Sequence, residues 1–583
     1  MPENELQEEK ELNFRDLFIP LTNRKVISFI IIIGIITYFN MLFNGFVWDD
    51  KTYILFNPDI QTFNVFNLIK TNIFNAGGQY RPIPGLYFAS LFALFKETTF
   101  FYHLLQVLIH ILNTSLLFIL FSKFFNKKVS LLLSLLFLIH PIQVESVSYI
   151  ASSDNPLFFL FGLLAVILSL PRKIRTRRYI GISFLLFLSL LTKEAGILFL
   201  FIILLYTFLY KKKEFFPFIF TTGAAFVVYL LVRFGIGGVS FTNLPLIPIA
   251  RLSFVERLIN LPAIIFYYLK TFFFPLHLAV DQQWIIRSIT FENFYFPLVV
   301  DFIFFLCICL LGLYIYKKNK INFKIFLFFF CWFLAGLTVY SQIVPLDGTV
   351  ADRWFYFPLV GIVGLLGIAL QSIKFVSKPI KTSGYALIIV IFVLSTLRTM
   401  VRNTNWGTPI TLFSNDVQIS DNFDIENNLG TEYSNIHDYK NAIIHSRKSV
   451  QMFPYEANTY NLANTYEQAG DIQNAKKYYA QALASQNYLP INHEHFNVTY
   501  IRLAYIYYLT NHCKDAEVVI HHGLQEYPTS PYLWIELAAC EYKLGNQTKS
   551  LEYAEKAKTF LPDEQMNVLY LQIQNKEKIN LKL

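Results

Sequence analysis

Ionisable residues are scarce in the first two thirds of this chain, and those that occur come in short groups. Asp49 and Asp50 stand together after Trp48. Arg81 sits between Tyr80 and Pro82. His140 precedes Pro141, with Glu145 and Asp154 close behind. Lys193 and Glu194 are adjacent, Asp281 lies three residues before Trp284, and Asp352 and Arg353 are adjacent. Carboxylates that stay ionised can take a proton from an alcohol. Arg and Lys suit a phosphate, Arg in bidentate fashion. Such a set fits transfer of a group from a phosphate-linked donor. Each residue also has a plainer reading. Asp49 and Asp50 could cap a helix, Arg81 could touch lipid headgroups, His140 and Pro141 could end a helix, and Lys193 and Glu194 could form a local ion pair.

Whether these residues can meet depends on the elements that carry them. The chain has 583 residues, with 54% hydrophobic and 15% charged, against about 25% charged in soluble proteins. It is too apolar to be soluble throughout and too rich in aliphatic and aromatic residues to be disordered. Five scattered Cys form no Cys-x-x-Cys pair, which argues against a disulfide framework or a structural zinc site. The net charge of +9 comes from small basic clusters between apolar runs, a membrane pattern and not a nucleic-acid one. The acidic start, with Glu3, Glu5, Glu8, Glu9 and Glu11, is followed by no small-residue cleavage site, so the run 26–47 reads as an uncleaved anchor.

Twelve apolar segments of near-spanning length lie between residues 26 and 400. Basic clusters at 123–128, 172–178, 211–213, 317–324 and 374–381 all favour the cytoplasm. Twelve crossings cannot satisfy them. Eleven can, if the segment 258–275, with Arg257 and Lys270 at its edges and Pro262 and Pro275, lies in the interface. The expectation is an all-α, eleven-span domain over 26–400, with a cytoplasmic segment 1–25 and a long outer loop 48–99. All the residue groups named above then fall on the non-cytoplasmic face. Ionisable residues at membrane level are functional candidates by default, and structural ones should populate both faces.

After residue 400 the chain is polar and repetitive. Leu429, Leu462, Leu503 and Leu537 begin equivalent helices, Gly430, Ala463, Ala504 and Ala538 follow, and Ala442, Ala475, Ala516 and Ser550 come 12 residues later. The spacing is 33 or 34 residues apart from an insertion around 486–496. This is the tetratricopeptide pattern of paired helices. It predicts a linker 401–422, about four repeats over 423–570 on the non-cytoplasmic side, and a tail 571–583. His493, His495, His512, His521 and His522 read as surface residues of that solenoid, and no metal site is expected from them.

The order Trp-Asp-Asp, Tyr-Arg-Pro, His-Pro-x-x-x-Glu, Lys-Glu-x-Gly, a stretch ending in Asp281, and Asp-Arg-x-x-Tyr-x-Pro358, followed by tetratricopeptide repeats, resembles the transmembrane and tetratricopeptide repeat-containing (TMTC) O-mannosyltransferases. More broadly it is similar to the C-fold glycosyltransferases. The resemblance implies an inverting transferase that uses a polyprenyl- or dolichyl-phosphate sugar, with a first-loop carboxylate, Asp49 or Asp50, as base. It implies Arg81, Lys193 and Arg353 at the donor phosphate. It implies His140, Glu145, Asp154, Glu194, Asp281 and Asp352 toward sugar or acceptor, and a protein or glycan acceptor held by the repeats. No cofactor is required, a divalent cation is left open, and no nucleic acid is expected. Bacterial relatives favour an inner membrane with periplasmic repeats; a eukaryotic chain would use the endoplasmic reticulum. Two positions depart from the family: Asp352 stands where Glu is usual, and Ser152 where an Arg precedes the Asp after His-Pro. The alternatives are a lipid-linked glycan ligase or polymerase, a non-catalytic scaffold, and a transporter. A transporter would gather polar residues near the bilayer midplane, and the acid pair after the first span favours the monosaccharide transferase over the ligase. No Walker sequence supports an ATP-driven pump.

Overall fold

A computed structural model describes residues 21–70, 79–171, 174–239, 247–372, 378–485, 493–561, 564–577 and 579. The acidic residues Glu3 to Glu11, and Arg172, Lys173 and Lys374 of the basic clusters, lie outside the described residues. The described chain is helical, with one isolated antiparallel bridge, Gln282 to Val350. It forms two compact units, up to Ile419 and from Ser420.

Among the described residues, seven helices of the first unit are long and apolar enough to cross a membrane: Asn23–Phe43, Thr99–Phe121, Ile150–Ser169, Lys212–Gly235, Phe291–Lys318, Lys320–Val339 and Thr382–Asn405. An eighth crossing results if Lys127–Ile139 and Pro141–Ser148, bent by 51°, count together. The eleven crossings drawn from the charge pattern therefore exceed what helix length and composition give. The difference lies in short pieces. Pro82–Phe95, Glu194–Tyr210 and Pro358–Ser372 are apolar but only 10–17 residues long. Thr176–Thr192, at 17 residues, and Phe254–Phe273 are not among the long apolar set. The expected loop 48–99 itself contains the helix Pro82–Phe95.

Local chemistry explains where the helices start and stop. Asn126 and Asn319 accept hydrogen bonds from the first free backbone amides of the helices they precede. Pro141 cannot donate to the preceding turn, so the chain bends after His140. In lipid there is no hydrophobic drive between helices, and close packing through small residues takes its place. A Cβ on Gly361 would lie 2.4 Å from the Phe333 backbone nitrogen, and one on Gly364 would lie 2.1 Å from the Phe329 ring. The helices Lys320–Val339 and Pro358–Ser372 thus approach to backbone contact. Phe121, Phe125, Phe199, Phe329, Trp332 and Tyr356 fill the surrounding core.

The described residues of the second unit form four helix pairs: Phe423–Asn435 with Tyr439–Met452, Glu456–Gln468 with Ile472–Ala484, His493–Leu509 with Cys513–Glu526, and Pro531–Lys543 with Gln547–Phe560. A further helix, Glu564–Gln574, follows. The repeated small residues do what their spacing implies. Ala442, Ala475, Ala516 and Ser550 are fully buried, and a Cβ on Gly430 would lie 2.3 Å from Ser446 Oγ. His493 begins a helix inside the segment read as an insertion.

The glycine contact yields a stability test. Gly361→Ala must drive two helices apart, because the obstacle is backbone and cannot rotate away. It should cost about 1–3 kcal/mol and lower the thermal midpoint in detergent. Gly223→Ala, with nothing within 4 Å of its Cβ, should leave the midpoint unchanged or raise it, since Ala favours a helix over Gly. Equal midpoints for the two variants would contradict the packing.

Candidate active site

The acid pair lies in a tight turn after the first long helix. Trp48 adopts φ +54°, a left-handed conformation that costs an L-residue roughly 1–2 kcal/mol. Asp50 holds it there. Its Oδ2 accepts from Val47 N (3.0 Å) and its Oδ1 from Ala151 N (2.7 Å), and the side chain is fully buried. Burial pushes the Asp50 carboxyl well above the ordinary range despite these two amides. Asp49 is only partly buried, and its Oδ2 accepts from the Tyr149 hydroxyl (2.8 Å). Burial, then the Asp49 and Asp50 charges, push that hydroxyl well above its usual range, so Tyr149 remains a donor. Two adjacent acids thus have different tasks, one bracing the turn and one presented beside a tyrosine.

The cations gather at helix ends. Arg81 immediately precedes the Pro82–Phe95 helix and spans two carboxylates, Nε to Glu194 Oε2 (2.8 Å) and Nη1 to Asp154 Oδ2 (3.0 Å). Lys193, in the break after Thr176–Thr192, reaches Asp154 Oδ2 (3.1 Å) and Asn155 Oδ1 (2.8 Å). Arg233, in the last turn of Phe215–Gly235, reaches Glu194 Oε1 (3.3 Å) and the Tyr229 hydroxyl (2.6 Å). Burial opposes the Arg81 charge, but Glu194 and Asp154 outweigh it and hold its pKa above normal. Burial pulls Lys193 below the usual lysine range, aided by the Arg81 and Arg353 charges and opposed by Asp154.

Arg353 forms the other arm. Its backbone N donates to Glu145 Oε2 (3.0 Å), its guanidinium pairs with Glu145, and it lies 5.6 Å from the Trp48 ring centroid. The loops 278–286 and 341–352 are tied together beneath it. Thr349 N donates to Gln282 O (2.8 Å), Gln282 Nε2 to the Tyr267 hydroxyl (2.8 Å), and that hydroxyl to Asp352 Oδ1 (2.6 Å). Arg81 and Arg353 both act electrostatically on Tyr53 and Tyr340. Residue groups from separate parts of the sequence therefore converge near the helix ends.

No known protein-family profile matches the chain. It is 25% identical over 503 residues to human protein O-mannosyl-transferase TMTC3, covering 78% of this chain and 54% of the relative. It is 23% identical over 589 residues to the mouse TMTC3 protein (92% and 64%). It is 25% identical over 422 residues to the Caenorhabditis elegans protein O-mannosyl-transferase F38B6.6 (69% and 59%). The chain is a distant homologue of these O-mannosyl-transferases. It spans between about half and two thirds of their length. Among solved structures it is similar to MamA (15% identity, 30% of this chain and 88% of that one, TM-score 0.24) and to the TPR domain of P58(IPK) (10%, 46% and 96%, TM-score 0.15).

The geometry sorts the remaining candidates of this O-mannosyl-transferase homologue. His140 has both ring nitrogens engaged, Nε2 with Phe272 O (2.9 Å) and Nδ1 accepting from Ile142 N (3.2 Å), and stacks on Phe272, so it braces the bend. Glu145, Asp154 and Glu194 orient cations. Asp281 adopts φ +43° and accepts from Gln283 Nε2 (2.6 Å). Three further residues escape the motif reading: Arg233, Tyr149 and Asp347. The Asp347 charge acts on both Arg81 and Arg353. Arg233 carried a usable signal, being a lone cation at the end of an apolar run. Tyr149 and Asp347 carried none. Among the described residues, no group of three or more His, Cys, Asp or Glu is placed to hold a metal ion.

Asp352 provides a pH test. Burial, then the Glu145 charge, push its carboxyl up to about 8. A carboxyl with a raised folded-state pKa stabilises fully below its unfolded value near 4, and that contribution is lost as pH rises toward 8. Asp352→Asn carries no such loss. Its thermal midpoint should therefore gain on the parent protein's as pH rises from 5 to 8.5. A constant or shrinking difference would show that Asp352 is ionised throughout.

Proposed function

We propose that the chain is an integral-membrane glycosyltransferase that moves a sugar from a polyprenyl-phosphate donor to an acceptor hydroxyl. We place the reaction on the non-cytoplasmic face, with the helical repeats holding a protein acceptor. The observation that carries this reading is the half-buried Asp49 carboxylate, tethered by Tyr149 within a set of loops that also presents Arg81, Lys193 and Arg353. Asp49 takes the proton of the acceptor hydroxyl as its oxygen attacks the anomeric carbon. The bond from that carbon to the phosphate oxygen breaks, configuration inverts, and polyprenyl phosphate leaves. Charge grows on the leaving oxygen, where pre-oriented cations are most effective. No separate acid is needed, because a phosphate held by cations leaves readily.

The cations are held in place by paired carboxylates: Arg81, Lys193 and Arg233 by Asp154 and Glu194, and Arg353 by Glu145. Mannose is the sugar suggested by the homologues' names.

Asp49→Asn should lower release of polyprenyl phosphate from polyprenyl-phosphate mannose by about 10² or more, with donor binding intact. Asp50→Asn replaces an acceptor of two amides by a group that satisfies one. It should cost about 1–3 kcal/mol of stability and reduce turnover only through that loss. Arg353→Ala should weaken donor binding as well as turnover. Near-normal turnover in Asp49→Asn, at matched expression, would remove the catalytic assignment and leave a membrane scaffold as the better reading.

A further inference from the structure

The Tyr149 ring, whose hydroxyl donates to Asp49, has its own support, and the proposed reaction does not touch that support. It stacks with Trp48 (centroids 5.1 Å apart, planes at 18°) and with Trp406 (5.4 Å, 26°). Trp406 is fully buried, just beyond the Lys378–Asn405 helix, and the Arg402 guanidinium lies 5.8 Å from its ring centroid. Arg402 binds both oxygens of Asp416, at 2.6 and 2.8 Å, and Asp416 Oδ2 also accepts from Val280 N (2.8 Å). Both partners are almost completely buried. A bidentate pair of this kind fixes a guanidinium in plane and direction, which no solvent-exposed lysine could do. Three aromatic rings are thus arranged between two carboxylate-bound arginines, Arg353 beside Trp48 and Arg402 beside Trp406.

The same region also guides the backbone into the Asp49 turn. Asn44 Nδ2 donates to Asn403 O (2.9 Å), Gly45 N to Gly407 O (3.0 Å), and Ser148 Oγ to Asn403 Oδ1 (2.8 Å). The segments on both sides of the hydrogen bond between Tyr149 and Asp49 are therefore referenced to residues 403–407. We propose that Trp406, held by the Arg402–Asp416 pair, is a positioning residue for the candidate base: it fixes the Tyr149 ring, and through it the direction in which the Asp49 carboxylate points. This rests on the reading of Asp49 as the base. Trp406 touches neither donor nor acceptor in that scheme and acts only through Tyr149.

The test uses the full-length protein in lipid nanodiscs, with polyprenyl-phosphate mannose as donor and a mixture of Ser- and Thr-containing peptides as acceptor. Trp406→Ala should lower kcat by about tenfold to a hundredfold, the scale of a misplaced catalytic group. The donor KM should stay within about twofold, and the acidic limb of the kcat profile against pH should shift. Trp406→Phe, which keeps a stacking ring, should recover most of the rate. Tyr149→Phe should reproduce the Trp406→Ala loss, and the double variant should be no worse than either single one, because both break one linkage. Hydrogen exchange over residues 46–53 gives a readout independent of turnover, and should accelerate in Trp406→Ala but not in Trp406→Phe. Unchanged exchange in Trp406→Ala, or additive losses in the double variant, would overturn the inference. An inactive parent protein would instead defeat the transferase reading, while the exchange data would still decide whether Trp406 positions the turn.

Discussion

An ionised side chain removed from water at the end of a helix bundle must find a counter-charge, and that requirement organises the first unit of this protein. Arg81 meets it with two carboxylates from segments far apart in sequence, Asp154 and Glu194. Each acid then recruits another cation, Lys193 to Asp154 and Arg233 to Glu194. Removing one partner would strand the others at a cost of about 3–5 kcal/mol. The breaks between apolar helices follow from this. Lys193 lies in the break between Thr176–Thr192 and Ile197–Tyr210, and from there its ammonium group reaches Asp154. Arg81 and Glu194 stand at the starts of two of the short helices, Pro82–Phe95 and Glu194–Tyr210, whereas Asp154 and Arg233 lie on long ones.

Part of this arrangement was legible in the sequence. Leu, Gly and Ala at repeat spacing gave the paired helices of the second unit, because the residue before each tight crossing has to be small whatever the surface does. The charged groups of the first unit were legible as groups, because ionisable residues in apolar runs are rare. Their division of labour was not. Asp49 and Asp50 are the same residue type one position apart. Only the backbone amides of Val47 and Ala151, the second 101 residues away, show that Asp50 is occupied with the turn. The hydrogen bond from His140 to Phe272 O was equally hidden, since Phe272 comes from a helix that local pattern cannot connect to it.

The count of crossings failed to transfer for a related reason. The charge rule reads the loops, whereas helix length reads the segments between them, and the two disagree where a segment is short. Pro141 divides one apolar run into helices 51° apart, and hydropathy averaged along the run is blind to the bend. Arg233 shows the opposite failure. It was readable as a lone cation in an apolar helix, but a search through motifs passed over it because no neighbour in sequence marks it.

An anion arriving among these cations finds each already committed to a carboxylate. It must share Arg81 with Asp154 and Glu194, and Arg353 with Glu145, so the ground-state attraction is far smaller than three bare charges would give. The same commitment holds each guanidinium in one orientation before any ligand arrives, and no reorganisation remains to be done when charge develops. Lys193 differs. Burial and its cationic neighbours already press it toward the neutral form, and a phosphate nearby would reverse that pressure. Such an arrangement trades affinity for fixed geometry, which is what the proposed stabilisation of a leaving group would require.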